Sequence, residues 1–539
     1  MKLKGILPIL DWLPNYNKKH LKGDISAGLT VGIMLIPQGM AYAMLAGMPP
    51  IYGLYAALIP QFVYAILGTS RQLGVGPVAM DSLLVAVAVS QFAQAESDQY
   101  IALVILLAMI VGGIQLLMGF LRLGFLVNFL SHPVISGFTS AAALLIGFSQ
   151  LKYLMGVDLE RSQFLHEILW SAFQNIGNIN PYAMLIGLLG MGIIISLKKR
   201  KSSIPAPLVV VVLGIIGVWS FGLDAQGVAI VKTIPKGLPS PSFPILDWNS
   251  IQQLMGSAFT LALVGFMEAI AISKAIHVRH NDYKIVPNQE LIALGMANIM
   301  GAIFQSFPTT GGFSRSAVND QAGAKTNLAA LISATFIVVT LLFLTPLFYY
   351  LPKAVLASII MVAVFKLVSV EDARLLWEGN QKRDFAILMV TFVATLTIGI
   401  QKGILLGVIF SIINMLYDTM YPHITLNQSS TPLPSGILII RFEEQLYFAN
   451  SAYFREKMEA LLNPALDAKQ QNDLTHIIFD ASSIPRIDST GQKALDYFIH
   501  TCQNKNYQLS FVGLPAQMDC SCFESTEEAI KGIQAQTIV

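Results

Sequence analysis

Hydrophobic and polar positions divide the chain into a long apolar part and a shorter part of mixed character. Residues up to about 420 contain almost all of the apolar runs, whereas from about Leu433 apolar and polar positions alternate as in soluble proteins. A helix needs about 20 mostly apolar residues to cross the hydrocarbon core of a bilayer. We therefore predict a cytosolic N-terminal segment (1–22), a helical membrane domain (23–422) and a soluble domain (433–539).

The apolar part contains fourteen segments that are predicted to be membrane spans. The third and the tenth are short, and each follows a break rich in glycine or proline, at Gly74–Pro77 and Thr309–Gly312. Because these two lie seven spans apart, we predict two halves of seven helices, and the odd number gives the halves inverted topology. A linker rich in proline and glycine at 223–250 fits a connection between them. The predicted spans are 25–46, 51–69, 78–93, 101–121, 126–150, 181–197, 205–222, 251–276, 288–304, 314–322, 327–350, 354–368, 384–400 and 402–421.

Composition and charge indicate a membrane protein and its orientation. Hydrophobic residues make up 54% of the 539 residues and charged residues only 12%, about half the charged share of a soluble domain. With the N-terminus inside, most lysines and arginines fall in cytoplasmic segments, as do Lys18, Lys19 and Lys22 before the first span. An even number of spans then returns the soluble domain to the cytoplasm. The short loops and compact tail favour a bacterial protein, for which the membrane is the inner membrane.

The sequence indicates neither an enzyme nor a protein-bound cofactor. It has no Walker-type phosphate loop, no metal-ligand cluster and no nucleophile triad. The three cysteines, Cys502, Cys520 and Cys522, lie in the soluble part, and Cys520-Ser-Cys522 lacks the second ligand pair of a metal site. We predict free cytosolic thiols, no bound metal and no nucleic-acid partner.

An arginine lies where a membrane domain seldom has a charge. The stretch FQSFPTTGGFSRSAVN (304–319) sits between two apolar segments, and its proline and two glycines interrupt a continuous helix. Ser314 is expected to cap a new helix, with Arg315 in its first turn. A broken helix in a membrane leaves backbone N–H groups unpaired, which is tolerated only inside protein or around a cavity. Since those groups carry the positive end of the helix dipole, the pattern predicts an anion site near the bilayer midplane, as in a secondary transporter.

Carboxylates within the predicted spans are candidates for coupling, because a charge at this depth costs about 2.5–3.5 kcal/mol. Glu268, in the eighth span, has two interpretations, a proton carrier beside Arg315 or a permanent ion pair with Arg315 that holds helices together. Asp81, in the first turn after the first break, is either a helix cap or a ligand of a coupling ion. Asp24 lies at the cytoplasmic edge, where a structural role is expected.

Gln38 and Tyr42 in the first span are four residues apart. Because residues i and i+4 lie on one helix face, the amide and hydroxyl groups can bind an oxyanion together. The alternative is that the two side chains join neighbouring helices through hydrogen bonds, which is common for polar residues in membrane bundles.

Four stretches of this sequence resemble the SulP family of anion transporters. The membrane domain contributes residues 23–84 (GDISAGLTVGIMLIPQGMAYAML through GPVAMDSLL), 268–283 (EAIAISKAIHVRHNDY) and 307–326 (FPTTGGFSRSAVNDQAGAKT). The stretch at 268–283 is especially similar to plant sulfate/proton symporters. The tail looks like a STAS domain, with IDSTG (487–491) as its central turn. The resemblance covers nearly the whole chain.

The resemblance implies a fourteen-span fold of two inverted repeats and a soluble α/β STAS domain. Spans 1–4 and 8–11 would form a core bundle that carries the substrate against a gate bundle of spans 5–7 and 12–14. The anion would bind between the facing half-helices of spans three and ten. Glu268 matches the acidic residue that plant-type members are thought to use for proton coupling, and members are usually homodimers. The implied substrate-binding residues are Gln38, Tyr42, Val78, Ala79, Ser314 and Arg315.

Departures from the family pattern bear on coupling and regulation. The bicarbonate branch has an aspartate in place of Glu268 and a threonine four residues later, which together resemble a sodium site. This chain has Ile272 at the later position, which favours protons over sodium. The family more often has an uncharged residue at Asp81, so this aspartate would restore a cation site or alter the anion preference. Thr490 stands where soluble STAS domains carry a phosphorylated serine, and we favour loop capping over phosphorylation for it.

We predict uptake of sulfate that is coupled to protons. A divalent anion entering against about 100 mV, negative inside, costs roughly 4.6 kcal/mol, so uptake needs a cotransported cation or an exchanged anion. Bicarbonate, chloride or a dicarboxylate, moved by symport or exchange, are alternatives. A channel or motor and a membrane sensor that acts through the STAS domain are less favoured, because an uncoupled pathway does not need Glu268. The expected partners are the anion, protons, membrane lipid and a second copy of the chain.

Overall fold

The computed structural model describes residues 7–125, 131–159, 162, 164–200, 205–280, 283–426, 436–462, 475–513 and 522–537. The chain forms two compact units, Met1–Ile409 and Phe410–Val539. The first unit is helical apart from one short strand pair, and the second contains a five-stranded sheet. The predicted domain boundary at 433, Cys520 and the side chain of Cys522 lie outside the described residues.

Each of the fourteen predicted spans coincides with a helix or with consecutive helices. Within the described residues, nine helices are long and apolar enough to cross a membrane, and two shorter apolar helices accompany them. The count of fourteen spans stays a prediction. The helices up to residue 420 are α1 (Ile9–Trp12), α2 (Leu21–Leu45), α3 (Pro50–Ala56), α4 (Ile59–Leu67), α5 (Ala79–Val89), α6 (Asp98–Phe120), α7 (His132–Ser149), α8 (Leu151–Met155), α9 (Leu165–Gln174), α10 (Pro181–Lys199), α11 (Ala206–Phe221), α12 (Trp248–His277), α13 (Pro287–Ile303), α14 (Phe313–Gln321), α15 (Leu328–Val339), α16 (Lys353–Val364), α17 (Val370–Glu378), α18 (Lys382–Ile398) and α19 (Ile400–Met420).

Not every predicted span is a single α-helix. The segment predicted at 51–69 is divided into α3 and α4, and α4 begins with a proline in its first turn. The segment predicted at 327–350 continues from α15 into a π-helix (Thr340–Leu344) and a 3-10 helix (Thr345–Phe348). Pro37, by contrast, lies within an unbroken α2. A proline removes one backbone donor, and neighbouring helices in a membrane bundle can satisfy the carbonyl that loses its partner.

The helices of the first unit pack in two groups, and each group draws on both halves of the chain. In one group α6 packs on α13 and α2 packs on α15, and in the other α7 packs on α18 and α10 packs on α16. These groups follow the core and gate bundles that the resemblance implies. In the first group a Cβ atom on Gly53 would lie 1.9 Å from the carbonyl oxygen of Gly39, so α2 and α3 contact each other through their backbones.

The two breaks predicted from the sequence meet in the structure. Strand β1 (Val75–Gly76) pairs in antiparallel fashion with strand β2 (Thr310–Gly311). Helix α5 begins at Ala79 and helix α14 begins at Phe313, in each case shortly after the strand. The strand pair therefore brings the N-termini of the two half-helices together, although more than 200 residues separate them in sequence.

Asp24 is fully buried and joins the N-terminal segment to the connection that follows α14. Its carboxylate accepts hydrogen bonds from the Tyr16 hydroxyl, from the N–H groups of Lys325 and Thr326, and from the Thr326 hydroxyl, at 2.7–3.1 Å. Burial and the neighbouring Asp24 charge raise the pKa of Tyr16 to about 12, so this phenol keeps its proton and remains a donor. The four bonds fit the structural role expected for Asp24.

Glu290 is a second buried carboxyl group surrounded by donors, and it lies beside the C-terminal end of α4. It is fully buried on α13 and accepts hydrogen bonds from the hydroxyls of Tyr64 and Thr69 and from the N–H groups of Thr69 and Ser70, at 2.5–3.2 Å. A buried carboxylate is stable when donors surround it. Glu290 therefore fixes the connection between α4 and β1 against α13.

The second unit contains an α/β domain. Its sheet has the order β3-β4-β5-β6-β7, in which β3 is antiparallel to β4 and the other neighbours are parallel. Buried aromatic side chains, among them Phe454 and Phe479, form its core, and burial raises the pKa of the free Cys502 thiol to about 12. The sheet begins ahead of the predicted start of the domain. The elements are β3 (Ile424–Leu426), β4 (Ile437–Phe442), α20 (Ser451–Leu462), β5 (His476–Asp480), α21 (Ser489–Asn504), β6 (Gln508–Val512), β7 (Cys522–Phe523) and α22 (Thr526–Thr537).

The turn IDSTG is capped by Asp488 and not by Thr490. Oδ1 of Asp488 accepts hydrogen bonds from the N–H groups of Thr490 at 2.9 Å and Gly491 at 2.7 Å, at the start of α21. The hydrogen bond from Gly491 contributes most to holding the pKa of Asp488 below its ordinary value. The prediction of a capping role for Thr490 is wrong, because the residue two positions earlier already occupies the N-cap.

Candidate functional site

A cavity of about 490 Å³ lies beside the N-termini of α5 and α14. Its walls come from α2, α5, α12 and α14 of one packing group and from α10, α11 and α16 of the other, so the cavity lies between the two groups. Asp81 does not line it. The cavity brings together all six predicted substrate-binding residues and the predicted coupling residue, namely Gln38, Tyr42, Val78, Ala79, Ser314, Arg315 and Glu268.

Two helix N-termini meet the cavity without side-chain caps. The N-cap residues are Val78 for α5 and Gly312 for α14, and neither supplies a side-chain acceptor to the first turn. The N–H group of Gly312 donates to the carbonyl of Gly74 at 3.0 Å, which holds Gly312 extended and starts α14 at Phe313. Ser314 is therefore the second residue of the helix, and the prediction that it caps α14 is wrong. First-turn N–H groups without a cap are ready donors for an anion.

Arg315 is only 2% exposed and reaches from α14 to the break before α5. Its Nε donates to the carbonyl of Gly74 at 3.0 Å and its Nη1 donates to that of Pro77 at 3.1 Å. A Cβ atom on Gly312 would lie 2.8 Å from Nη2, so the guanidinium passes close to the backbone at this position. Nη2 is buried and has no hydrogen-bond partner in the described part of the chain. The guanidinium is thus fixed by two bonds and keeps a free donor for an anion.

Glu268 is not engaged in a permanent ion pair. The hydrogen bonds of Arg315 go to backbone carbonyls, and Oε2 of Glu268 is buried without a partner among the described residues. The two groups still interact through their charges. The geometry therefore does not support the interpretation of Glu268 as part of a structural ion pair.

Asp81 is a buried carboxyl group for which the described residues supply no hydrogen bond at Oδ1. It is 2% exposed in the first turn of α5, whose N-cap is Val78, so the capping interpretation is wrong. Its Oδ2 faces α12, 3.3 Å from the position that a Cβ atom would take on Gly265. Its Oδ1 has no partner in the part of the chain that the structure describes. Within those same ranges, no three His, Cys, Asp or Glu side chains are grouped so as to hold a metal ion.

The remaining polar residues of the cavity include two that the sequence did not single out. Gln38 and Tyr42 are 5% and 6% exposed on α2, and no hydrogen bond within the described residues joins either side chain to another helix. Lys198 at the end of α10 and Lys366 after α16 also line the cavity and interact electrostatically. In the sequence alone, both lysines resemble the ordinary positive charges found at the cytoplasmic ends of membrane spans. Only the packing of α10 on α16 brings them to the site.

Comparisons with known proteins agree with this geometry. The pattern of the sulfate permease family matches residues 21–391, from α2 into α18. The chain belongs to the sulfate permease family. The match includes every element that lines the cavity, and a STAS domain matches residues 428–523.

The alignments with relatives in the family cover nearly the whole of this chain. Sulfate transporter 4.1, chloroplastic, of Arabidopsis thaliana is 38% identical over 535 residues, which cover 94% of this chain and 77% of that protein. The sodium-independent sulfate anion transporter of Bos taurus is 35% identical over 542 residues, which cover 94% of this chain and 86% of that protein.

Solved structures share the fold. SLC26A9 superposes with a TM-score of 0.88 at 27% identity, over 99% of this chain and 94% of that one. The transmembrane domain of the cyanobacterial bicarbonate transporter BicA superposes with a TM-score of 0.63 at 25% identity, over 74% of this chain and 98% of that one. This family member is therefore a multi-pass integral membrane protein with an SLC26-type helical core and a C-terminal STAS domain.

Proposed function

We propose that the protein is a secondary active transporter of inorganic anions, that sulfate is its substrate and that protons drive uptake. The observation that carries this proposal is the free Nη2 of Arg315 beside two uncapped helix N-termini in one cavity. The names of the relatives, which are sulfate transporters of plants and a mammal, support sulfate in particular. Because the family and its relatives are named as sulfate permeases and transporters, we propose transport and no enzymatic activity.

Sulfate would bind between Arg315 and the two half-helices. Its oxygens would accept hydrogen bonds from Nη2 and from the first-turn N–H groups of α5 and α14, where the helix dipoles favour negative charge. The amide of Gln38 and the hydroxyls of Tyr42 and Ser314 face the same cavity and would complete the donor set. A tetrahedral oxyanion suits this arrangement, because its oxygens can meet donors from several helices at once.

Protons would be coupled through Glu268. Sulfate that enters against a membrane potential of about 100 mV must overcome roughly 4.6 kcal/mol, so it cannot accumulate by diffusion alone. Glu268 has a buried oxygen without a partner, which leaves it able to gain and lose a proton. A proton on Glu268 removes a negative charge that would repel sulfate. Ile272 has no hydroxyl group to coordinate a cation, which supports protons and not sodium as the coupling ion. No other cofactor is proposed.

Transport would proceed by movement of the core bundle relative to the gate bundle. The cavity extends from Tyr42 to Lys198 and Lys366, which the distribution of positive charge assigns to the cytoplasmic side. This supports an inward-open state. Because Arg315, β1, β2 and both half-helices belong to the core bundle, they would move as one body and expose the anion alternately to each side.

The proposal also covers the assembly of the protein and its location in the cell. We propose a homodimer in the inner membrane of a bacterium, with the STAS domain in the cytosol. The charge distribution supports the cytosolic side, and the buried free thiol of Cys502 suits a reducing compartment. Large exposed side chains on the membrane helices, such as Leu185 and Trp219, would contact lipid.

Uptake of radiolabelled sulfate into proteoliposomes tests the proposal. An inward proton gradient should stimulate uptake by the unaltered protein. Arg315→Ala should reduce uptake by about 100-fold, because it removes charge-assisted hydrogen bonds worth about 1.5–3 kcal/mol each. Arg374→Ala, at an exposed arginine that pairs with Glu378 one turn along the same helix, should leave uptake unchanged. Folded, correctly inserted protein that takes up no sulfate would contradict the proposal.

Bicarbonate is the second candidate, because the fold is shared with the cyanobacterial bicarbonate transporter BicA. A parallel assay with labelled bicarbonate, with and without sodium, separates the two. Sodium-dependent bicarbonate flux without sulfate flux would select the second candidate.

A further inference from the structure

The carboxyl group of Asp81 is a buried ionisable group that the proposed function leaves unused. It is 2% exposed, and its Oδ1 has no hydrogen-bond partner within the described residues. A charged carboxylate in such a place is strongly destabilised unless a donor, a cation or a proton neutralises it. Asp24 and Glu290 show that this fold supplies donors to other buried carboxyl groups, since each accepts four hydrogen bonds. Asp81 receives none of this support.

Asp81, on α5, packs against α12 one helical turn from Glu268. Oδ2 of Asp81 lies 3.3 Å from the Cβ position of Gly265, and Gly265 precedes Glu268 by three residues, which is close to one helical turn. The absence of a side chain on Gly265 lets α5 approach α12 at this point. Oε2 of Glu268 also has no partner in the described part of the chain, and the two carboxyl groups interact electrostatically.

The groups around this pair are few. Tyr42 faces it from α2 and Arg315 faces it from α14, and both interact with Glu268 through charge. With both carboxylates ionised, Arg315 leaves the site with one net negative charge, and sulfate would raise this to three. Like charges in a space of low dielectric constant repel strongly, so neighbouring carboxylates bind protons before they share a site with an anion.

We propose that Asp81 is a second proton acceptor, so that Asp81 and Glu268 each bind one proton with sulfate and two protons accompany each anion. This inference rests on the proposed function. Each proton comes from water on the open side, binds a carboxylate oxygen, and returns to water on the other side after sulfate leaves. No other bond changes. The cargo of one sulfate and two protons carries no net charge, so its transfer is independent of the membrane potential.

Sulfate accumulation in proteoliposomes at zero membrane potential measures the number of protons. At an inward gradient of one pH unit, two protons per sulfate give about 100-fold accumulation at equilibrium and one proton gives about tenfold. The unaltered protein should reach about 100-fold, and its uptake should not change when valinomycin and potassium impose a potential. Asp81→Asn should reach only about tenfold, and an inside-negative potential should now oppose its uptake.

Ser82→Ala is the matched control, because Ser82 is buried beside Asp81 on α5 and bonds only to the carbonyl of Val78. It should keep the 100-fold accumulation. If Asp81→Asn also accumulates sulfate 100-fold, Asp81 carries no proton and the inference is overturned. If sodium replaces the proton gradient in the unaltered protein, the pair is a cation site and the inference is overturned as well. An unaltered protein that moves no sulfate at all contradicts the proposed function instead.

A second measurement covers the case in which Asp81→Asn does not fold. Protons taken up from weakly buffered solution when sulfate binds can be counted on purified, unaltered protein over a series of pH values. The maximum should approach two protons per bound sulfate, and a maximum of one overturns the inference. Where variants are obtained, Asp81→Asn and Glu268→Gln should each lower the maximum by one.

Discussion

The membrane unit holds buried acidic groups in two ways. Asp24 and Glu290 represent the first way, and Asp81 and Glu268 represent the second. The first two are fully buried in the first turns of α2 and α13, and hydroxyl and N–H donors surround them. The second two lie at or beside the cavity, and each has a buried oxygen without a partner within the described residues. The same chain thus satisfies some carboxylates completely and leaves others unsatisfied.

The difference separates charges that hold the structure from charges that are free to change. A carboxylate with several donors is stable in the ionised form, and loss of either partner is costly. A buried carboxylate without donors is stabilised when it binds a proton, and it can release the proton when its surroundings change. On this view Asp24 and Glu290 fix the connections of the core bundle through hydrogen bonds, while Asp81 and Glu268 have no such bonds in the described part of the chain.

Glu290→Ala should have the largest effect on stability. It leaves the donors of Tyr64, Thr69 and Ser70 buried without an acceptor, at about 1–3 kcal/mol for each. We expect the apparent melting temperature in detergent to fall by more than about 10 °C, or folded protein to be lost on size exclusion. Glu371→Ala, at an exposed residue of α17, should melt like the unaltered protein. Equal melting of the two variants would remove the distinction between the pairs.

Asp24→Asn should have a smaller effect of the same kind. Asparagine keeps one acceptor oxygen but places an NH2 group against the N–H donors of Lys325 and Thr326. We expect a loss of about 2–3 kcal/mol and a fall of several degrees in the melting temperature. Asp11→Asn is the matched control. Asp11 is exposed, and its carboxylate forms a loose ion pair with the Arg71 guanidinium at 3.9 Å. A larger fall for the control would show that the buried bonds of Asp24 are not the cause.

Asp81→Asn and Glu268→Gln should leave the melting temperature within about 2 °C of the unaltered protein, or raise it. Neither change breaks a hydrogen bond within the described residues, and each removes a buried group that is costly when charged. Proton-driven sulfate uptake should change at the same time, so stability and coupling are separated in one pair of variants. Melting as low as that of Asp24→Asn would show that these carboxylates have structural partners after all.

Asp488→Ala should have a small effect that is confined to the soluble unit, and a pH dependence identifies it. Because the pKa of Asp488 is lowered on folding, its stabilising contribution is complete above the unfolded pKa of about 3.9 and is lost as the pH falls through the lower folded value. We expect a fall of a few degrees in the melting of this unit at neutral pH and a smaller difference in acid. Asp496→Ala, at an exposed position of α21, should show no such trend.

The sequence predicted the long helices and the charged members of the site, because both follow from burial. Apolar runs form helices in a membrane, and a charge such as Arg315 within them is too costly without a function. The caps were predicted less well. Ser314 and Thr490 have the residue types of N-caps, yet Gly312 and Asp488 occupy those positions. The start of α14 is set by a backbone bond to Gly74, and a linear pattern does not show which distant group a break will contact.

The pairing of β1 with β2 also sets an order of events during biosynthesis. More than 200 residues lie between the two strands, and a ribosome adds about 5–20 residues per second, so β1 waits roughly 10–50 s for its partner. Throughout that interval the first repeat is in the membrane with an interrupted segment whose backbone groups lack their final hydrogen bonds. Hydrocarbon cannot satisfy those groups, so water or the insertion machinery must cover them until the second repeat arrives. A ribosome that stalls before residue 310 therefore leaves a nascent chain with most of its helices and no anion site.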